Sequence, residues 1–234
     1  MKVGIIQSNY VPWRGYFDII DEVDLFIFHD DLQYTKGDWR NRNIIKTPKG
    51  LVWLTVPVKY TETSQRICDI RIDDSQEWRE KHLRRFRANY GKTPFFAETI
   101  NLWEEGLSSG DTHLSQLNIR LIKLISAHLG IRTPLALSSE FAVTGKKTHR
   151  LIQLLKKVGA TIYLSGPSAK MYLKEDMFAS EGIGLEYKNY NYTAYPQPWG
   201  EFAGMVSVMD LIANTGHKAR DYLKSHTPNT VAVG

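Results

Sequence analysis

The chain has 234 residues and a mass of 26.9 kDa, with 42% hydrophobic and 24% charged residues. Those fractions are ordinary for a folded globular protein and exclude a disordered, collagen-like or disulfide-stapled chain. The formal net charge of +5 and a pI of about 9.1 point to an anionic partner without naming it.

Met1-Lys2-Val3-Gly4-Ile5-Ile6 is too short and too quickly polar for a signal peptide. No stretch approaches the ~20 apolar residues of a membrane helix. Cys68, the single cysteine, forms no internal disulfide and builds no thiolate metal site alone. A soluble cytoplasmic protein without a membrane span is expected, its oligomeric state left open.

Lys2–Ile6 reads as a strand, followed by the polar turn Gln7-Ser8-Asn9. Trp13–Val23 places Tyr16, Phe17, Ile19, Ile20 and Val23 at near-helical spacing behind Pro12. Asp24–Phe28 is a second apolar run. Strand, helix and strand in this order predict a βαβ unit with parallel strands. Asn43–Lys46 and Leu51–Val58, joined by Thr47-Pro48-Lys49-Gly50, predict a hairpin. Ile67–Ile72 alternates and is expected to be a half-exposed strand.

Helices are expected over Gln76–Tyr90, from Pro94 to about Leu107, and over Thr112–Leu129, where leucines form a stripe ended by Gly130. The α/β pattern then returns. Strands are expected at Leu135–Ser138, Thr161–Leu164 and Leu185–Tyr187. Helices are expected at Thr148–Val158, Lys170–Ser180 and Ser207–Thr215. The expected fold class is α/β: a mostly parallel sheet with flanking helices, a β-hairpin and a helical insertion near residues 76–130. It is read as a single domain over residues 1–234.

The charge is uneven. Thr35–Gly50 carries five cations against Asp38, net +4, and Arg79–Lys92 six against Glu80, net +5, so the remainder is net negative by 4. Such clusters read either as solvated faces or as a phosphate-binding surface. No aromatic RNA-binding signature accompanies them, which ranks a small phosphorylated ligand above nucleic acid.

Ligands of open α/β sheets bind beyond the carboxyl ends of the parallel strands. Three polar turns are expected there. The first offers Gln7, Asn9, Tyr10, Gly15 and Tyr16 as substrate-binding candidates, ahead of a helix whose free N–H groups attract anions. It is neither a GxGxxG nor a P-loop, and Pro12 with Gly15 would also explain a plain helix start. The second places Asp30 and Asp31 side by side, as a general base, a divalent-cation ligand or a loop cap against Lys36 and Arg40. Its binding candidates are Gln33, Tyr34, Lys36, Trp39, Arg40, Asn41 and Arg42.

His29 beside the acidic pair and His82 in the basic helix each read as a proton carrier near neutral pH or as a structural histidine, His82 also being a substrate-binding candidate. Asp30, Asp31 and His29 are therefore the catalytic candidates. The third turn offers Ser165, Gly166, Ser168 and Tyr172; it lacks the GxSxG of a nucleophile elbow. Tyr195 and Gln197 close the set, in a Tyr-rich loop suited either to sugar stacking or to packing on the sheet. No metal-ligand pattern such as HExxH is present.

Several of these segments together resemble the WbqC-like family. They are Gln7-Ser8-Asn9-Tyr10-Val11-Pro12-Trp13-Arg14-Gly15-Tyr16-Phe17, Asp30-Asp31-Leu32-Gln33-Tyr34, Trp39-Arg40-Asn41-Arg42-Asn43 and Trp53-Leu54-Thr55-Val56-Pro57-Val58. Tyr163-Leu164-Ser165-Gly166, Tyr172-Leu173, Tyr195-Pro196-Gln197 and Phe202 through Ser207-Val208-Met209-Asp210-Leu211-Ile212 extend the likeness nearly end to end. The resemblance implies a role in bacterial surface polysaccharide synthesis, with aminoacyl, including glycyl, transfer to a sugar. It brings no agreed catalytic residues. A weaker likeness is to cytidylyltransferase-like enzymes, but their histidine pair is absent at Pro12-Trp13-Arg14-Gly15-Tyr16. The expected partner is a phosphorylated sugar or sugar nucleotide. ATP with Mg²⁺ or an aminoacyl-tRNA would both suit the basic surface as donor.

Overall fold

A computed structural model describes residues 1–234. The chain opens with β1 (Lys2–Ile6), α1 (Arg14–Glu22) and β2 (Leu25–Phe28), the expected βαβ unit. The strands are parallel, with Val3 opposite Leu25 and Ile6 opposite Phe28. Gly4 faces α1, where a Cβ would sit 3.2 Å from both Ile19 Cγ2 and Phe26 Cδ2. A larger residue there would lift the helix off the sheet.

β3 (Arg42–Thr47) and β4 (Gly50–Thr55) form the predicted hairpin, turned by Gly50 at φ +100°. β5 (Val58–Lys59) pairs antiparallel with β6 (Arg71–Ile72). The expected strand over Ile67–Ile72 is not found in full. Ile67–Asp69 is one turn of 3₁₀-helix, and only Arg71–Ile72 is extended. Buried Ile67 and Ile70 lie three apart, the 3₁₀ repeat, which a period of two misreads.

The helical stretch comprises α2 (Trp78–Tyr90), α3 (Phe96–Leu107) and α4 (Leu114–His128). Then come β7 (Leu135–Leu137), α5 (Lys147–Lys157), β8 (Ile162–Ser165), α6 (Glu175–Ser180) and β9 (Gly184–Tyr187). Lys170 and Met171, expected in the helix before β9, belong instead to a separate 3₁₀ turn over Pro167–Met171. α7 (Val208–Thr215) begins at Ser207, whose Oγ accepts from Met209 N at 3.3 Å. β10 (Thr230–Val233), unforeseen in the sequence, pairs antiparallel with β9.

The central sheet runs β10-β9-β8-β1-β2-β7, parallel apart from β10. From β1 the chain steps to β2 and β7 on one side. It then returns to place β8 and β9 on the other. This is a doubly wound order, and strand direction of travel reverses between β1 and β8.

Strand alternation sorts the core into two layers. Phe26, Phe28 and Leu164 face α1, α4 and α7 in a cluster of 39 buried residues. Val3, Ile5, Ile27 and Tyr163 face α5 and α6 in a cluster of 15. With both faces covered, the open ground left for a ligand is the carboxyl edge of the parallel strands.

Candidate functional site

The carboxyl ends of β1, β2 and β8 open into two adjoining cavities of about 490 and 600 Å³. Ile5, Gln7, Tyr163 and Tyr172 line both and form the partition between them. Gln7 follows β1, Tyr163 lies in β8, and His29 follows β2. This is the topological switch point, where doubly wound sheets bind ligands.

The first cavity is shaped by the turn after β1. Val11 has φ +35°, a strained value for a β-branched residue. The strain is held by a surrounding lattice. Asn43 Nδ2 donates to the carbonyls of Tyr10 and Val11 at 3.0 Å, and Ser207 Oγ donates to Val11 O at 2.7 Å. The neighbouring loop is tied to the same turn. Tyr10 N donates to Trp39 O at 3.1 Å, and Asn118 Nδ2 to Arg40 O at 2.8 Å.

Arg40 is thereby aimed at the cavity. Its Nη1 donates to Asn9 Oδ1 at 2.6 Å and its Nη2 to Gln7 Oε1 at 3.2 Å. These bonds fix both amides. With their oxygens turned to the guanidinium, the NH₂ groups of Gln7 and Asn9 are left as donors. Asp38 stands 3.6 Å from Arg40 and offsets part of its charge. Trp13, Trp39, Tyr172 and Tyr190 wall the cavity, with Trp13 and Tyr190 edge to face at 4.8 Å. Ser165, Gly166 and Ser168 complete the β8 side. A Cβ on Gly166 would lie 3.0 Å from Tyr190 Oη, so glycine lets that ring close over the turn.

The second cavity holds His29, Lys147, Thr148 and Arg150. Arg150 Nε donates to His29 Nε2 at 3.3 Å, and its Nη2 pairs with Asp31 Oδ2. Ser138 Oγ donates to Asp31 Oδ1 at 2.5 Å. Burial pushes the His29 imidazole down to about 4, with nearby Asp31 opposing and Arg150 reinforcing the shift. His29 is neutral at pH 7.

Asp30 lines neither cavity. Its buried carboxylate accepts from Ser8 N at 2.7 Å and from Ser115 Oγ, joining the β1 turn to α4. Burial raises its pKa, against the two serine hydrogen bonds. No group of three His, Cys, Asp or Glu residues lies close enough together to hold a metal ion.

The match that places the chain among known proteins covers all of this architecture but β1 and β10: the WbqC-like protein family matches residues 7–222. The chain belongs to the WbqC-like protein family. It is also 46% identical over 226 residues to "Uncharacterized protein Rv1507c" of Mycobacterium tuberculosis (strain ATCC 25618 / H37Rv). That alignment covers 95% of this chain and 97% of the relative. No solved structure matches the chain.

In this WbqC-like chain the sequence-derived candidates divide by burial. Gln7, Asn9, Tyr16, Trp39, Arg40, Ser165, Gly166, Ser168 and Tyr172 meet at the first cavity, and His29 at the second. Asp31 reaches the second through its pair with Arg150 and through His29, whose Nε2 lies 3.7 Å from Asp31 Oδ1. Tyr10 and His82 face each other in the core, Tyr10 Oη and His82 Nδ1 at 2.9 Å. Tyr34 is buried against Tyr60, and Gln33 Nε2 donates to Thr63 O at 2.6 Å. Asn41 Nδ2 donates to Val56 O at 2.9 Å, and Arg42 stacks on Trp53 at 4.2 Å. Gly15 is covered by the Trp13 indole. Tyr195 and Gln197 donate to buried Asp210 at 2.8 and 2.6 Å, away from both cavities. Lys36 is exposed and lines neither.

Of the two basic segments, only Arg40 lines the cavities. Of the α2 arginines, Arg79 pairs with Asp74, Arg87 with Glu80 and Glu104, and Arg85 donates to Trp53 O, all away from the two cavities. The cations of the second cavity come instead from Gly145-Lys146-Lys147-Thr148 and Arg150, which sequence reasoning passed over. The available signal was a glycine followed by lysines and threonine directly before an amphipathic helix. No helix is long and apolar enough to cross a membrane.

Proposed function

We propose that the protein is a cytoplasmic transferase acting on a phosphorylated sugar, in nucleotide- or lipid-linked form, for bacterial surface polysaccharide such as O-antigen. The transferred group is acyl or aminoacyl, glycyl among them. One observation carries the reading: Arg40 is held by Gln7 and Asn9 at the switch point, beneath an aromatic wall. A guanidinium offers charge-assisted donors to phosphate oxygens, and the Trp13, Trp39 and Tyr190 rings suit a sugar or base. The NH₂ groups of Gln7 and Asn9 suit sugar hydroxyls or a carbonyl. A second reading, nucleotidyl transfer from ATP with Mg²⁺, draws support from the doubly wound strand order, common among nucleotide-binding sheets.

The test is a mass-spectrometric screen. The protein is incubated with a panel of sugar nucleotides, ATP, Mg²⁺ and amino acids, and the sugars are examined for mass gain. A gain equal to an acyl or aminoacyl residue is expected, lost in Arg40→Ala. Release of pyrophosphate with a gain on the acceptor equal to a nucleotidyl residue favours the second reading. Neither product, together with no saturable binding of any sugar nucleotide, overturns both. Glycyl-tRNA binding at low salt, where phosphate contacts are strongest, identifies tRNA as the donor.

A further inference from the structure

The second cavity has a polarity that the proposed transferase reading does not use. It lies at the start of α5, an eleven-residue helix with no side-chain cap. The amides of Lys147, Thr148 and His149 have no backbone or side-chain acceptor. Free first-turn amides and the helix dipole favour an anion.

An independent observation points the same way. His29 is 5% exposed and lines this cavity, yet its Nδ1 meets no partner in the protein. Arg150 can only donate, so His29 Nε2 is the acceptor of that pair. The proton of the neutral ring therefore sits on Nδ1. Nothing in the protein accepts from that N–H, so it is left for water or a ligand in the cavity.

Arg150 itself is not a free ligand group. Its three nitrogens are committed to His29, Asp31 and the carbonyl of Val143. It positions His29 and fixes its tautomer. Lys147 supplies the mobile charge. It is exposed and sits at φ +51°, the first residue of the helix. Of the groups the cavity leaves open, Lys147 Nζ, the His29 Nδ1–H, the α5 amides and the Gln7 NH₂ on the shared partition are donors only, and the Thr148 and Tyr172 hydroxyls can donate too. Lysine with helix-terminal amides suits a phosphoryl group, whereas carboxylates favour a free arginine fork.

We propose that the α5 cavity binds the phosphoryl group of a second substrate while the aromatic cavity holds the sugar-bearing one. This rests on the transferase reading and makes the crevice a two-substrate site, with Gln7 and Tyr172 between the ligands. The phosphoryl group belongs to a nucleoside triphosphate or to a smaller phosphorylated donor.

The experiment uses the full chain and three probes. Inorganic pyrophosphate and ATP are titrated by calorimetry, and UDP-glucose is followed by quenching of tryptophan fluorescence. Lys147→Gly keeps the left-handed backbone and removes the charge. It is expected to weaken pyrophosphate about tenfold, the worth of one charge-assisted contact, with UDP-glucose unchanged within about twofold. Trp39→Ala is expected to do the reverse. Protein saturated with UDP-glucose is expected still to bind pyrophosphate.

ATP binding with the same Lys147 dependence identifies a nucleoside triphosphate, and pyrophosphate binding without ATP binding a smaller donor. Unchanged pyrophosphate affinity in Lys147→Gly, or its exclusion by UDP-glucose, overturns the two-substrate site and leaves the transferase reading standing. Failure of the wild type to bind pyrophosphate, with UDP-glucose bound, does the same. Failure to bind any of the three overturns both.

Discussion

Asp30 is the residue at which a catalytic and a scaffolding role separate most cleanly. In Asp30→Ala the amide of Ser8 and the hydroxyl of Ser115 lose their acceptor in a buried setting. A buried donor left without a partner costs about 1–3 kcal/mol, so two of them cost roughly 2–6 kcal/mol. Removing a charge that burial disfavours offsets part of this. Asp30→Asn keeps the shape, accepts from Ser8 N through Oδ1 and presents its NH₂ to Ser115 Oγ, which can accept. It is expected within about 1 kcal/mol of wild type. Urea denaturation followed by circular dichroism reads both variants. At constant m-value, Asp30→Ala should lower the midpoint by about 1–2 M and Asp30→Asn by less than about 0.5 M. Equal damage by Asn and Ala would refute the reasoning. So would loss of sugar modification in Asp30→Asn with an unmoved midpoint, since a scaffold group has no proton to carry.

Stability should fall on acidification. Burial lowers His29 and His82 to about 4 in the fold, from about 6.5 in the unfolded chain. Between those values the unfolded state holds more protons, so each histidine subtracts up to ~1.4 kcal/mol per pH unit as pH drops. Raised Asp30 and Asp210 work the other way over the range above the usual carboxylate value, so the decisive comparison is a variant. His82→Gln should shrink the loss of urea midpoint between pH 7 and pH 5, and an unaltered loss would contradict it. Gly15→Ala should cost ~1–3 kcal/mol and shift tryptophan emission, because the new methyl would overlap the Trp13 indole; unchanged melting and emission would count against that packing. Asp210→Ala should lower stability by about 4 kcal/mol or more. It strands the hydroxyls of Tyr90 and Tyr195, now 2.5 and 2.8 Å from the carboxylate, and the Gln197 amide. A melting point within 2 °C of wild type would show that these donors find other partners.

Much of the architecture is legible in the chain because its determinants are local. Apolar runs closed by polar turns define β1, β2 and β8, and a leucine stripe ended by Gly130 defines α4. The order strand, helix, strand already implies parallel pairing. Thr230–Val233 is not framed between a helix and a polar turn as Leu25–Phe28 is, and the edge of β9 receives it. Ile67–Ile72 misleads because buried residues three apart pass for an alternating strand.

The site divides along the same line. Polar residues at strand ends, such as Gln7, His29 and Ser165, can be located from sequence, since those ends are where a doubly wound sheet leaves space. Which polar residues face that space is decided only in three dimensions. Tyr10, Tyr34 and His82 carry apolar bodies that serve a core as well as a pocket, and neighbours far along the chain cover them. Charge follows the same rule. The cationic excess lies in residues 35–50 and 79–92, yet of those eleven cations only Arg40, Arg79 and Arg87 find a carboxylate partner, and only Arg40 lines the crevice. The cations that reach the crevice are Arg40, Lys147 and Arg150, brought together from over a hundred residues apart by the return of the chain across β1. Local runs and periods along the chain specify most strands and helices and the polar turns that follow them. Which side chains meet at the carboxyl edge depends on burial and on pairing between distant residues, which are properties of the packed molecule.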